Sequence, residues 1–226
     1  MAKTINIAID GPAGAGKSTI ARRLAKEMGY YYVDTGAIYR TVAYFLDLLG
    51  ISPKDIDGVE RYLDELTVGI EYDEEGKQHM LMNGMDVTDD IRTPDISQKA
   101  SLVSAHAIVR DMLLDMQRDV AKKHNVIMDG RDIGTVVLPR ATVKIFLTAS
   151  AEVRAQRRTD ELLAKGQKAN YQQVLKDIQQ RDYQDTHREI APLKRAKDAV
   201  LLDTSDLDID GVLAAMKQII AQKVGV

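Results

Sequence analysis

The 226-residue sequence contains no cysteine and no tryptophan. The first absence excludes disulfides, thiol nucleophiles and zinc–thiolate centres, and suits a reducing cytoplasm. No apolar run approaches the roughly 20 residues of a membrane-spanning helix. The chain enters an apolar strand by Ile5, which leaves no room for a signal peptide. These features predict a soluble, cytoplasmic protein. Charge of one sign is also missing: 31 basic residues meet 34 acidic ones, a net charge of −3. No overall field therefore favours a nucleic-acid polymer or a membrane, and any anion site must be local. His79, His106, His124 and His187 lack metal-ligand spacing and read as surface or packing residues. There are no internal repeats and no low-complexity tract.

What is present centres on Gly11 to Ser18, GPAGAGKS, which fits G-x-x-x-x-G-K-[ST] and is followed by Thr19. Ile5, Ile7, Ala8 and Ile9 form a buried strand ahead of it, ending at Asp10. Ile20, Leu24 and Met28 repeat at helical spacing behind it, and Gly29 stops that helix. Strand, glycine loop and helix N-terminus in this order make a phosphate-binding loop. Gly11, Pro12, Ala13, Gly14, Ala15 and Gly16 would wrap a nucleotide's phosphates with backbone N–H groups. Lys17 would bridge the β- and γ-phosphates, the Ser18 hydroxyl would ligate Mg²⁺, and Thr19 would join the ATP-binding residues.

Tyr30 to Val33 reads as a second strand, with Asp34 and Thr35 capping a helix that carries Ile38, Val42, Phe45 and Leu46. The phrase DTGAIYR gathers Asp34, Thr35, Tyr39 and Arg40 near one helix start; an acid there is equally an ordinary cap. From about 55 to 90 an amphipathic segment and alternating apolar residues predict a small antiparallel insertion. Two helices carry Ser101 and Arg110 back to the sheet. Val126 to Met128 then form a strand ending at Asp129, the position from which an acid commonly holds Mg²⁺ through water. Gly130, Arg131 and Asp132 follow onto the same sheet edge. Strands at Val143 to Leu147 and Val200 to Leu202 and a last helix complete a five-stranded parallel sheet flanked by helices, an α/β fold.

Between the last two strands Arg154, Arg157 and Arg158 stand at i, i+3 and i+4, predicted to share one helix face. Arg181, Asp185 and Arg188 recur on a second helix. On charge pattern alone this is a solvated hairpin. On a phosphate-loop core it fits a mobile lid whose arginines grip phosphate and exclude water. A GTPase switch would need an Asn-Lys-x-Asp element, which is absent.

The phrases IDGPAGAGKST, DTGAIYR, DIRTP, DGRDIGTVVLP, VKIFLTAS and APLKRA together resemble the bacterial cytidylate kinases over essentially the whole chain. The resemblance implies a P-loop kinase with a core at 1–54, 91–150 and 191–226, a nucleotide-binding insertion at about 55–90 and an arginine-rich lid at about 151–190. It implies transfer of the γ-phosphoryl of ATP, as Mg·ATP, to CMP or dCMP. On it, Ser101, Arg110 and Asp132 read the cytosine edge, and Arg40, Arg131 and Arg188 grip the acceptor phosphate. Asp34, Arg181 and Asp185 surround the sugar, and Arg154, Arg157 and Arg158 approach the transferred group. Thr35 stands where many members carry Ser, and Ser18 alternates with Gly in the family. No base is assigned, because the acceptor phosphate is already a nucleophile. A monomer is expected, and the segment 203–205 is a candidate for the adenine site. A kinase of broader acceptor, or a nucleotide-switched binding protein, are the competing readings.

Overall fold

The computed structural model describes residues 4–225. In chain order, β1 (Asn6–Asp10) leads through the glycine loop into α1 (Lys17–Met28), and β2 (Tyr31–Asp34) passes directly into α2 (Thr35–Leu48). Next come α3 (Ile56–Leu63), β3 (Val68–Tyr72), β4 (Gln78–Met82) and β5 (Met85–Asp86). The helices α4 (Pro94–Val103) and α5 (Ala107–Lys123) then lead to β6 (Val126–Gly130) and a single π-type turn, Ile133–Val137. After β7 (Val143–Thr148) stand α6 (Ala151–Ala164) and α7 (Tyr171–His187), then β8 (Val200–Asp203) and α8 (Ile209–Val224).

Five strands form a parallel sheet in the order β2-β6-β1-β7-β8, and β3-β4-β5 form a separate antiparallel sheet. The central strands read as continuous apolar runs because both faces are covered. Alternation sorts their side chains: Ala8, Val126 and Met128 join α2, α4 and α5 in one core, whereas Ile7, Ile9 and Ile127 join α1 and α8 in the other. Met80 and Met82 of β4 belong to the first core, which seats the small sheet against α2.

Most helices begin at a side-chain cap: Asp34 accepts from Ala37 N–H, Thr93 from Ile96, Ser150 from Val153 and Asn170 from Gln173. The helix α1 instead begins at Gly16, in the left-handed region at φ 86°, with no side-chain cap. Among the described residues no side chain caps its first N–H groups, and such groups at a helix start suit an anion. At Gly11 only glycine is possible, because a Cβ would lie 1.9 Å from Leu147 O.

The parallel register brings Asp10, Asp34 and Asp129 to one edge of the sheet, with Asp129 opposite both Ile9 and Asp34. This is the carboxyl edge, where open α/β sheets take ligands. Among the described residues, no helix is long and apolar enough to cross a membrane.

Candidate active site

On the loop side, Lys17 is buried and its Nζ donates to Pro12 O at 2.7 Å. Burial, and then the nearby Arg131 charge, push its ammonium down to about 7. Ser18 Oγ donates to Asp129 Oδ2 at 2.8 Å, and the Tyr32 hydroxyl donates to Asp129 Oδ1 at 2.9 Å. Burial, and then the Asp34 charge, raise the Asp129 carboxyl above its usual range. Such a carboxylate gains from a cation beside it. Ser18 and Asp129, one from the loop and one from the adjacent strand, are both hard oxygen donors of the kind magnesium takes.

Arg154 closes over this loop. Its side chain is 5% exposed and donates to Ala13 O at 3.0 Å, to Ala149 O, and through both terminal nitrogens to Asp182. Arg157 turns the other way, donating to Thr204 O at 2.6 Å and to Leu207 O. Arg158 is exposed and paired with Glu161 of its own helix. The three arginines stand on one helix, as their spacing predicts, but each has different partners.

Across the sheet edge lies a cavity of about 70 Å³ lined by α2, α4, α5, α7 and the β6 exit. It brings together Thr35, Tyr39, Arg40, Ser101, Arg110, Arg131, Asp132, Arg181, Asp185 and Arg188. Cations outnumber carboxylates here. Burial, and then repulsion from Arg131, bring Arg181 down to about 10, and burial likewise lowers Arg188. The Nε atoms of Arg40 and Arg181 are buried and meet no partner among the described residues. Such a cluster is costly unless an anion enters it.

The ion pairs refine the assignments. Asp132 accepts from Arg110 and, at 3.3 Å, from Arg188. Arg188 also donates to Ser104 Oγ at 3.3 Å and Ala191 O at 2.7 Å, so in this structure it stands with Asp132 and Arg110. It is also the residue just past α7 rather than on it. Arg131 pairs with Asp185 at 2.7 Å, and Arg40 with Asp34 at 2.9 Å. The Thr35 hydroxyl is committed to Asp129 O at 2.7 Å. The Arg110 guanidinium lies 5.7 Å from the Tyr39 ring centroid.

Sequence reasoning missed Asp10, Ser104 and Asp182 as parts of the site. Asp10 accepts from Ile133 N–H and Gly134 N–H, both at 2.7 Å, and so fixes the π-type turn that follows Arg131 and Asp132. An acid at the carboxyl end of a strand was the available signal for it. Ser104 and Asp182 carried none beyond lying near named residues.

Residues 7–222 match a family model described as cytidylate kinase. A cytidylate kinase of Carboxydothermus hydrogenoformans is 51% identical over 219 residues, covering 97% of this chain and 98% of its own. One from Exiguobacterium sp. is 47% identical over 222 residues, covering 98% and 99%. Among solved structures, an uncharacterized protein from Eubacterium ventriosum matches with a TM-score of 0.51 at 13% identity, covering 96% of this chain and 98% of that one; this is a likeness of fold alone.

Proposed function

The chain belongs to the cytidylate kinase family, and from that premise we propose that it transfers the γ-phosphoryl group of ATP to CMP and dCMP, giving ADP and CDP or dCDP. The observation that carries the site assignment is the cationic cavity beside the phosphate-binding loop, with two buried arginine nitrogens lacking partners among the described residues.

The glycine loop and Lys17 hold the donor phosphates. Ser18 directly, and Asp129 through water, would hold Mg²⁺, which when bound neutralises charge on the β- and γ-phosphate oxygens. Arg40, Arg131 and Arg181 would take the acceptor phosphate, whose oxygen needs no general base. Asp132, with Arg110 and Ser101, would meet the amino and carbonyl groups of cytosine, while Asp185 and Asp34 lie toward the sugar. Arg154 stands over the donor loop, and we assign α6 and α7 as the lid and β3-β4-β5 as the acceptor-side insertion. Arg157 and Arg158 would reach the phosphates only on closure. Catalysis then rests on alignment and charge stabilisation, for which a single arginine contributes roughly 10³ to 10⁵ in rate in related transfers.

The test is ADP release from Mg·ATP with CMP, dCMP, UMP, AMP, GMP, shikimate or no acceptor. Rapid turnover with CMP and dCMP supports the proposal. Preference for another acceptor, or release independent of any acceptor, overturns it. Lys17→Ala is expected to abolish turnover while leaving the protein folded; near-normal turnover would remove the loop from the mechanism.

A further inference from the structure

β2 is the outermost strand of the parallel sheet, bonded to β6 on one side only. Tyr31 N–H goes toward that neighbour, to Asn125 O at 2.9 Å. The backbone groups of Tyr32 and Asp34 therefore face the free edge, where unpaired peptide groups are costly when buried. Among the described residues, no strand meets them there. Two side chains from the small antiparallel sheet do: the Tyr72 hydroxyl donates to Tyr32 O at 3.0 Å, and Gln78 Oε1 accepts from Asp34 N–H at 2.7 Å. Gln78 Nε2 also reaches back to Asp34 O at 3.4 Å, so its carboxamide presents a donor and an acceptor as a neighbouring peptide would.

The two gripped residues are not passive. The Tyr32 hydroxyl holds Asp129, and the Asp34 carboxylate both caps α2 through Ala37 N–H and pairs with Arg40 at 2.9 Å. Gln78 itself is buried, at 6% exposure, and a cleft of about 720 Å³ opens beside it between α1, β2 and the β3–β4 turn. The grip on the strand edge is thus made at a few side chains, with open space behind.

We propose that Gln78 is a positioning residue for acceptor binding: it sets Asp34, and through Asp34 the guanidinium of Arg40, so that the small sheet tunes a cationic site it does not itself line. The inference rests on the assignment of that cavity to the acceptor nucleotide. It gives the small sheet a function separate from covering substrate. A displacement of β4 would be transmitted to Arg40 through one carboxamide.

The experiment is a double-mutant cycle read by steady-state kinetics with CMP and ATP varied in turn. Gln78→Leu, similar in volume and without polar atoms, is expected to raise KM for CMP about tenfold, the scale of one lost hydrogen bond, with KM for ATP within about twofold. In an Arg40→Ala background the same substitution is expected to change KM for CMP by less than about twofold, because the route runs through Arg40. Equal effects in both backgrounds, or equal effects on the two substrates, overturn the proposal and make Gln78 a structural residue. If Gln78→Leu does not fold, Gln78→Asn, which withdraws the carboxamide without removing it, carries the same comparison. A wild-type enzyme inactive with CMP would refute the functional assignment itself, whereas a silent Gln78 variant in an active enzyme refutes only this inference.

Discussion

Asp10 shows how a single buried carboxylate can have opposite effects on stability and on geometry. Its two oxygens fix Ile133 and Gly134, yet burial outweighs those bonds and raises its carboxyl to about 6. A folded-state value above the unfolded one means that the native protein binds the extra proton between about pH 4 and 6. The contribution of this group to stability therefore falls as pH rises through that window and is constant above it. Relative to Asp10→Asn, the wild type is expected to lose up to about 1.4 kcal/mol per pH unit across the window, read from urea midpoints of both proteins. A pH-independent difference would show that Asp10 stays ionised. At the same scale, Asp132→Ala is expected to collapse the ratio of kcat/KM for CMP over UMP. Built polar contacts of this kind can discriminate by roughly 10⁴ to 10⁵. An unchanged ratio would leave Asp132 as a partner for Arg110 and Arg188 only. The loop residues were legible from sequence because their chemistry is local: eight consecutive positions specify the turn, the N–H groups and the cation. Asp10 stood out only as an acid at a strand end; its task there was not legible, because its partners lie 123 and 124 residues away and are backbone groups.

Elements were read well where hydrophobic period decided them, and less well where pairing did. The arginines of α6 illustrate the difference. Each helical residue turns by about 100°, so Arg157 and Arg158 fall on opposite flanks of Arg154 rather than on one line. One flank meets the loop after β8 and the other meets solvent, while Arg154 is clamped by Asp182 of α7. Spacing gave the neighbourhood, but Asp182 chose the winner. Asp182→Ala would leave the Arg154 guanidinium buried without a carboxylate, and is expected to lower stability by about 3 kcal/mol. Arg158→Ala, which removes only an exposed pair within one helix, is expected to change it by less than about 0.5 kcal/mol. Equilibrium urea unfolding separates the two, and similar losses would show that the α6–α7 contact is not held by the buried pair. The π-type turn was invisible to periodicity for a related reason: it is imposed by Asp10 from another strand, not by its own sequence.

For the molecule as a whole, the alternation of apolar strands with amphipathic helices fixed the parallel sheet in advance. The strand order, which brings β6 between β1 and β2, emerged only from the structure. That order sets the loop lysine and the arginine cavity at one edge of a chain whose net charge is −3. Binding an anion there should stabilise the entire fold by mass action. At CMP one hundred times above its dissociation constant the gain is about 2.7 kcal/mol, expected to raise Tm by roughly 5–10 °C. UMP at the same concentration is expected to raise it less in calorimetric scans; an equal rise would mean that the ground state does not distinguish the bases. One contact between the two sheets has a further use. The rings of Tyr31 on β2 and Tyr72 on β3 meet edge to face, with centroids 4.7 Å apart. Since the chain has nine tyrosines and no tryptophan, no indole masks their ultraviolet emission. Any parting of the small sheet from the core changes the surroundings of that ring pair, so the unlabelled enzyme carries its own optical gauge of the motion.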